Sequence, residues 1–238
     1  MGILLNPQTW IFLLVLFSLP CLMFLFFYSR RYNRRNKLKK FAIKSGLTFA
    51  PKPVIGTLPS FEPFYFFQNK KDPKSFEIEN KTIENVIRGE YKSKELFVFD
   101  FRYGIWTFPY RSRGAGIPLY LERIVTLALF ESGHDIPSFL IQPRMFLPEN
   151  FDPPQGYREI GRLEDSKFLK NYCAFSTQED AFLRLFNPGV QDLFQIPAEW
   201  FIEGVGPCLI FHKDRSLDAS EIPFFFNSAN RLADALLA

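Results

Sequence analysis

The stretch Leu96-Phe97-Val98-Phe99-Asp100-Phe101-Arg102-Tyr103 decides how the chain folds. Its side chains repeat with a period of two, so Phe97, Phe99, Phe101 and Tyr103 share one face of a strand and Leu96, Val98, Asp100 and Arg102 the other. Four rings in a row mark a core face. The acid and base two residues apart, roughly 6.5 to 7 Å between Cα atoms by strand rise, are then expected on the solvent side.

The neighbouring run, Lys81 to Tyr91, supplies a partner strand across Lys92-Ser93-Lys94. A three-residue loop pairs Tyr91 with Glu95 and sets Ile87 opposite Phe99, Asn85 opposite Phe101 and Ile83 opposite Tyr103. In that register Glu84 meets Arg102 directly and Arg88 lies one diagonal step from Asp100, giving a structural charge ladder of Glu84, Arg88, Asp100 and Arg102. A shift of one residue would set Glu90, Arg88 and Glu84 against the aromatic row, which costs several kcal/mol without partners. The sequence therefore reads Asp100 and Arg102 as sheet architecture, since an acid neutralised by arginines is a poor general base.

Working outward, Glu95 to Trp106 and Leu119 to Phe130 complete an antiparallel meander, and Phe139 to Gln142 adds a shorter strand. Pro143 to Tyr157 carries four prolines and reads as a loop, a lid or a lobe boundary. Beyond it come a strand from Phe168 to Phe175, a helix from about Gln178 to Leu185 capped by Ser176 or Thr177, and a short helix after Asn187-Pro188-Gly189. Trp200 to Val205 and Cys208 to Lys213 form a hairpin around Gly206-Pro207. A C-terminal helix opening at Asp218 carries the apolar stripe Ile222, Phe225, Phe226, Ala229, Leu232, Ala233 and Leu236. The fold class is α+β: an antiparallel sheet, meander plus later hairpin, with a packed C-terminal helix.

The N-terminus is of another kind. Trp10 to Tyr28 is nineteen residues without a charge, and at ~1.5 Å per residue a helix of that length spans roughly the 30 Å hydrocarbon core. A cleaved signal peptide would need its basic residues before the apolar run. Here Arg30, Arg31, Arg34, Arg35, Lys37, Lys39 and Lys40 follow it, which by the positive-inside rule keeps the C-terminal domain in the cytoplasm. The expected division is an extracytoplasmic 1–9, a transmembrane helix 10–28, a basic juxtamembrane helix 29–46, a β-rich lobe 47–142, the Pro-rich loop 143–157 and a second lobe 158–238 of the same domain. The setting is a single-pass protein of the plasma (inner) membrane, with the basic cluster set either for topology alone or also for anionic headgroups.

The formal charge of +4 belongs to this segment, because residues 1–40 hold seven basic side chains and no acid. The remainder has 22 basic against 25 acidic side chains, a balance of −3 that argues against nucleic acid as a partner. Thirty Phe residues imply a core, or an exposed patch such as Phe64 to Phe67 or Phe224 to Phe226, built on rings. Cys21 lies in the apolar N-terminal run, and Cys173 and Cys208 fall in no CxxC or Cys/His spacing, so those two read as small buried hydrophobes and no metal or cofactor is called for.

Other residue groups invite chemistry. Arg111-Ser112-Arg113-Gly114-Ala115-Gly116 places two guanidinium groups and flexible amides between strands, so Arg111, Arg113, Gly114 and Gly116 are the preferred phosphate-binding spot. Glu131-Ser132-Gly133-His134-Asp135 holds triad residue types, but consecutive residues around a glycine form a turn rather than a triad. His212 and Cys208 share a strand face about 13 Å apart, too far for a dyad. No catalytic residue is assigned.

The segments VFDFRYG (Val98 to Gly104), Trp200-Phe201-Ile202-Glu203-Gly204 and Leu209-Ile210-Phe211 resemble those of bacterial single-pass membrane proteins with a C-terminal α+β domain of unknown function, which carry a FDYRY-like strand and a late W..EG hairpin. The resemblance implies a bacterial membrane setting and brings no activity, ligand or catalytic residue. Taken together, the sequence predicts a membrane-tethered, non-enzymatic cytoplasmic module that binds a protein partner or assists assembly. The alternative is a membrane-face hydrolase or sensor for a phosphate-bearing or lipid-like ligand, with Arg111 and Arg113 as clamps and Asp100 or His134 as base.

Overall fold

Strand β3 (Lys94–Thr107) is paired along both edges, with β2 (Glu79–Tyr91) on one side and the first arm of β4 (Leu119–Pro143) on the other. A computed structural model of the chain describes residues 7–53, 58, 60–61, 63–68, 79–91, 94–107, 119–147, 151–161, 163, 166–195 and 199–237. Within these, the side chains of residues 7–15, 17, 27, 79–80, 106–107, 119, 166–167 and 195 lie outside the description. Among the described residues one antiparallel sheet of seven strands runs β1 (Thr48–Ala50), β2, β3, β4, β6 (Tyr172–Ser176), β5 (Arg158–Glu159), with β7 (Phe201–His212) paired on β4.

Both β4 and β7 change direction. The rings of Phe201 and His212 stack at 4.8 Å and 9° although eleven residues of extended strand would span roughly 36 Å, so β7 doubles back at Gly206-Pro207. This is the expected hairpin. Its arms lie between the arms of β4: Cys208 to His212 pair with Glu131 to Leu127, and Ile202 to Gly206 pair with Ile141 to Ile136. Residues 132–135 arch over the hairpin tip, with Gly133 at φ +68° and Gly206 at φ +55°, values that glycine reaches without a Cβ clash. The two regions expected as lobes thus contribute to a single sheet.

The β2–β3 register differs from the expected one. Tyr91 pairs with Lys94, so the connection is one residue shorter and the first part of the ladder sets Ile87 opposite Val98 and Arg88 opposite Phe97. A register shift between Glu84 and Ile87, with Asn85 at φ +54°, then moves the pairing one residue further from the expected one, setting Glu84 opposite Asp100 and Thr82 opposite Arg102. The bulge is what the pairing arithmetic lacked.

Both faces of the sheet are buried. Phe97, Phe99, Phe101 and Tyr103 pack with Val125, Leu127, Leu129, Cys208 and Ile210 under an irregular segment that contributes Phe64 and Phe67. Phe67 meets Phe101 edge to face at 4.7 Å, and Phe61 lies 5.4 Å from Phe99. On the other face Leu96, Val98, Ala128 and Phe130 pack against Leu38 and Ala42 of helix α1 (Pro7–Lys44) and Ile222, Phe225, Ala229 and Leu232 of the C-terminal helix, Ile222–Leu236. The expected aromatic patches are therefore core: Phe64, Phe67 and Phe225 are buried, and Phe224 alone of these rings is largely exposed. The Asp100 face, expected in solvent, is the helix-covered face.

Three short helices complete the layer: α2 (Ser166–Asn171), α3 (Glu179–Leu185) and α4 (Pro188–Asp192), making the C-terminal helix α5. The expected strand from Phe168 is instead α2 followed by β6, because Phe168 packs into Phe186 and Phe194 at 4.8 and 5.4 Å rather than along the sheet. Gln178, not Ser176 or Thr177, precedes α3, and its N–H donates to Ser176 Oγ at 3.1 Å.

Helix α1 runs unbroken where a membrane segment and a separate juxtamembrane helix were expected. Among the described residues no helix is long and apolar enough to cross a membrane. Eight of the nineteen side chains in the expected span at 10–28 lie outside the description, and past Tyr28 the helix turns basic.

His212, 3% exposed, lies between Phe201 and Phe66, the latter at 4.3 Å, with the Asp214 N–H donating to its Nδ1 at 3.2 Å. Burial lowers its pKa from 6.5 to about 3. Between those values the unfolded chain binds a proton that the folded chain refuses, so stability is complete above about pH 6.5 and falls as the pH drops. Denaturant unfolding of wild type and His212→Phe between about pH 7.5 and 4.5 is expected to show a wild-type loss of up to about 1.4 kcal/mol per pH unit that the variant lacks. Parallel profiles would disprove this role.

Candidate functional site

The C-terminal half of α1 places Arg31, Arg34, Leu38 and Ala42 three or four residues apart, on the side that faces the sheet. Leu38 and Ala42 enter the core. One and two turns earlier the same stripe carries cations instead, and the sheet meets them with acids.

Arg34 grips Asp100 with both ends of its guanidinium: Nε donates to Oδ2 at 2.9 Å and Nη2 to Oδ1 at 2.6 Å. Thr126, opposite Asp100 on β4, donates to Oδ1 at 2.9 Å, and Asn85, turned inward by the β2 bulge, donates to Oδ2 at 2.9 Å. The carboxylate thus accepts four hydrogen bonds, which is about its capacity. Arg34 also donates to Thr126 Oγ1 at 3.1 Å and to the Leu217 carbonyl, while the Leu217 N–H donates to Thr126 Oγ1 at 3.2 Å. Helix α1, three strands and the segment before α5 meet at one acid. A second chain of charges runs beside it: Arg31 to Glu84, Glu84 to Arg102 at 3.4 Å, and Arg102 to Glu122 at 2.8 Å.

Glu84 and Arg102 are therefore in contact, but Asp100 is held by Arg34, and Arg88 turns to Glu95 at 2.7 Å. Arg34 escaped the sequence reading because it sits in a run of cations 66 residues away from Asp100. Its i, i+4 spacing to the core residue Leu38 was the available signal. Of the basic cluster, Arg31 and Arg34 bind the sheet's acids, while Arg30, Arg35, Lys37, Lys39 and Lys40 are exposed.

An open groove of ≈ 400 Å³ adjoins this cluster where α1 leaves the domain. One wall carries Ser29, Arg30, Asn33 and Lys37 of α1, the other Ser216 and Asp218. Phe26 closes its apolar end.

The remaining candidates do not assemble. Arg111, Arg113, Gly114 and Gly116 lie outside the described residues. His134 is exposed on the β4 arch, and the extended stretch from Thr126 to Glu131 alone puts roughly 16 Å between it and Asp100. Cys173 and Cys208 are buried, and burial, with Glu131 nearby, pushes the Cys208 thiol up to about 11. Among the described residues no three His, Cys, Asp or Glu side chains are grouped to hold a metal.

The W..EG segment is structural. Trp200 stacks on Phe225 at 5.3 Å and 19°, and Glu203, 3% exposed, accepts the Phe66 N–H at 2.8 Å and so holds the aromatic cover on its face. A Cβ on Gly204 would come within 2.3 Å of the buried Phe139 ring. Burial, and next the charge of Glu203, raise the pKa of Tyr65 and Tyr157 beside it.

No family model and no curated protein matches the chain. Its fold is similar to the crystal structure of the mycobacterial trehalose monomycolate transport factor A, TtfA, with a TM-score of 0.54 over 85% of this chain and 93% of that one. At 11% identity the likeness is one of fold.

Removing one partner of a buried ion pair leaves the other uncompensated. Asp100→Ala in the full chain is expected to cost about 3–5 kcal/mol in denaturant unfolding. Arg88→Ala, whose partner Glu95 is 38% exposed, should cost less than about 1 kcal/mol. Arg34→Met/Asp100→Leu should recover much of the loss, and a purely additive double variant would refute the coupling.

Proposed function

We propose that the chain is a single-pass protein of a bacterial inner membrane whose cytoplasmic α+β domain is a non-enzymatic module, binding a protein partner or assisting assembly at the membrane face. The observation that carries this reading is the exposure along α1. Leu16, Leu19, Leu22, Met23, Phe24, Leu25 and Phe26 are each between 52% and 69% exposed and are spread around the helix, an arrangement suited to lipid rather than water. The same helix continues into the Arg34–Asp100 clamp, so anchor and domain are joined without a flexible linker.

The distribution of other apolar side chains supports it. Tyr120, Leu121, Met145, Phe146 and Phe224 are exposed toward the end of the domain from which α1 emerges; among the described residues Ile43, near the far end of α1, is the exception. The basic run after Tyr28 supports a cytoplasmic domain. The fold neighbour is a trehalose monomycolate transport factor, which supports an accessory part in lipid transport over an enzymatic one. Nothing described favours the hydrolase: Asp100 has its acceptor sites filled by protein donors, and His134 lies far from it.

Wild-type chain expressed in bacteria is expected to stay with membranes through alkaline carbonate washing, whereas Leu19→Arg/Phe24→Arg should be released or lost from that fraction. A photo-crosslinking residue at Phe224 should trap a discrete protein in intact cells. Carbonate extraction of the wild type would overturn the anchor, and turnover of a phosphate ester by the purified chain would overturn the non-enzymatic reading.

A further inference from the structure

We propose that the groove between α1 and residues 216–219 holds the phosphate-bearing headgroup of an anionic membrane lipid. The inference rests on α1 being the membrane anchor. It adds a specific site to what is otherwise a diffuse basic surface.

The charges of the groove are not equivalent. Arg34 borders it, but its guanidinium is committed to Asp100, Thr126 and the Leu217 carbonyl. The cations left to a ligand are Arg30 and Lys37, both exposed and seven residues apart, which is two helical turns on one face. Ser29 and Asn33 add donors from α1, and Ser216 adds a hydroxyl from the opposite wall. Asp218 also lines the groove and opposes one positive charge, leaving Arg30 and Lys37 in excess by one.

The height of the groove fits a headgroup. Arg30 is two residues past Tyr28, or about 3 Å of helix beyond the apolar run, inside a headgroup layer roughly 5–7 Å deep. Lys37 is about 13 Å beyond Tyr28, and its long side chain can reach back toward the bilayer. Phe26, 63% exposed at the groove's apolar end, would lie along the first segments of an acyl chain. A cation pair above and an apolar ring below match a lipid better than a soluble anion.

The test uses the full chain released from micelles doped with equal phosphatidylglycerol and phosphatidylcholine, read by native mass spectrometry. Wild type is expected to retain phosphatidylglycerol several-fold over phosphatidylcholine, and Arg30→Ala/Lys37→Ala should bring the two to parity. Arg35→Ala/Lys39→Ala removes the same charge from the opposite side of α1 and should keep the preference. Equal loss in both double variants, or displacement of the lipid by millimolar inorganic phosphate, would overturn the headgroup site. A chain that inserts yet holds both lipids alike overturns this site alone, whereas a wild type absent from membranes overturns the anchor reading with it.

Discussion

The buried contact between Arg34 and Asp100 organises the rest of the molecule. A charge taken out of water costs several kcal/mol unless it is paired and fully hydrogen-bonded. That requirement brings a helix, a β-bulge and a cross-strand threonine to one carboxylate. Asn85 accepts a left-handed backbone so that its amide faces Asp100, and its N–H finds the Pro51 carbonyl. The main-chain turn before α5 is fixed from the same point, since Leu217 offers its carbonyl to Arg34 and its N–H to Thr126. A hydrophobic seam alone would let α1 slide on the sheet; a bidentate pair sets its register.

The strand period was legible in the sequence because both faces obey it. Phe97, Phe99, Phe101 and Tyr103 do line one core, and the stripe on α5 is buried at Ile222, Phe225, Ala229, Leu232, Ala233 and Leu236 as its spacing requires. The hairpin at Gly206-Pro207 was legible for the same reason, a glycine and a proline between two apolar runs. What period could not convey is that the second face of β3 is covered as well. Leu96 and Val98 already hinted at this, and Asp100 among them looked like a solvent residue only because its partner was unknown.

Two kinds of information were missing from the chain read linearly. One is the bulge at Asn85, which leaves no compositional mark because asparagine in a strand reads as an ordinary polar residue. The other is the double use of the basic run. Seven cations after an apolar segment are enough to set topology, and that reading conceals the fact that Arg31 and Arg34 pair with acids of the sheet. Only helical phase, with Arg34 one turn before the buried Leu38, separates the two from their neighbours.

That division of labour has a mechanical consequence. A protein tethered by a flexible linker samples many orientations above a membrane, because loop entropy favours none of them. Here the helix that emerges from the domain is the one clamped to its sheet, so under the proposed anchoring the tilt of α1 in a bilayer would dictate the tilt of the domain. The groove, the exposed rings of Phe146 and Phe224 and the tip of the β7 hairpin would then keep fixed heights relative to the lipid surface. A partner arriving along such a membrane would meet one presented face rather than an average over faces, and the ordering entropy that a flexibly tethered domain would lose on binding would already have been spent in folding.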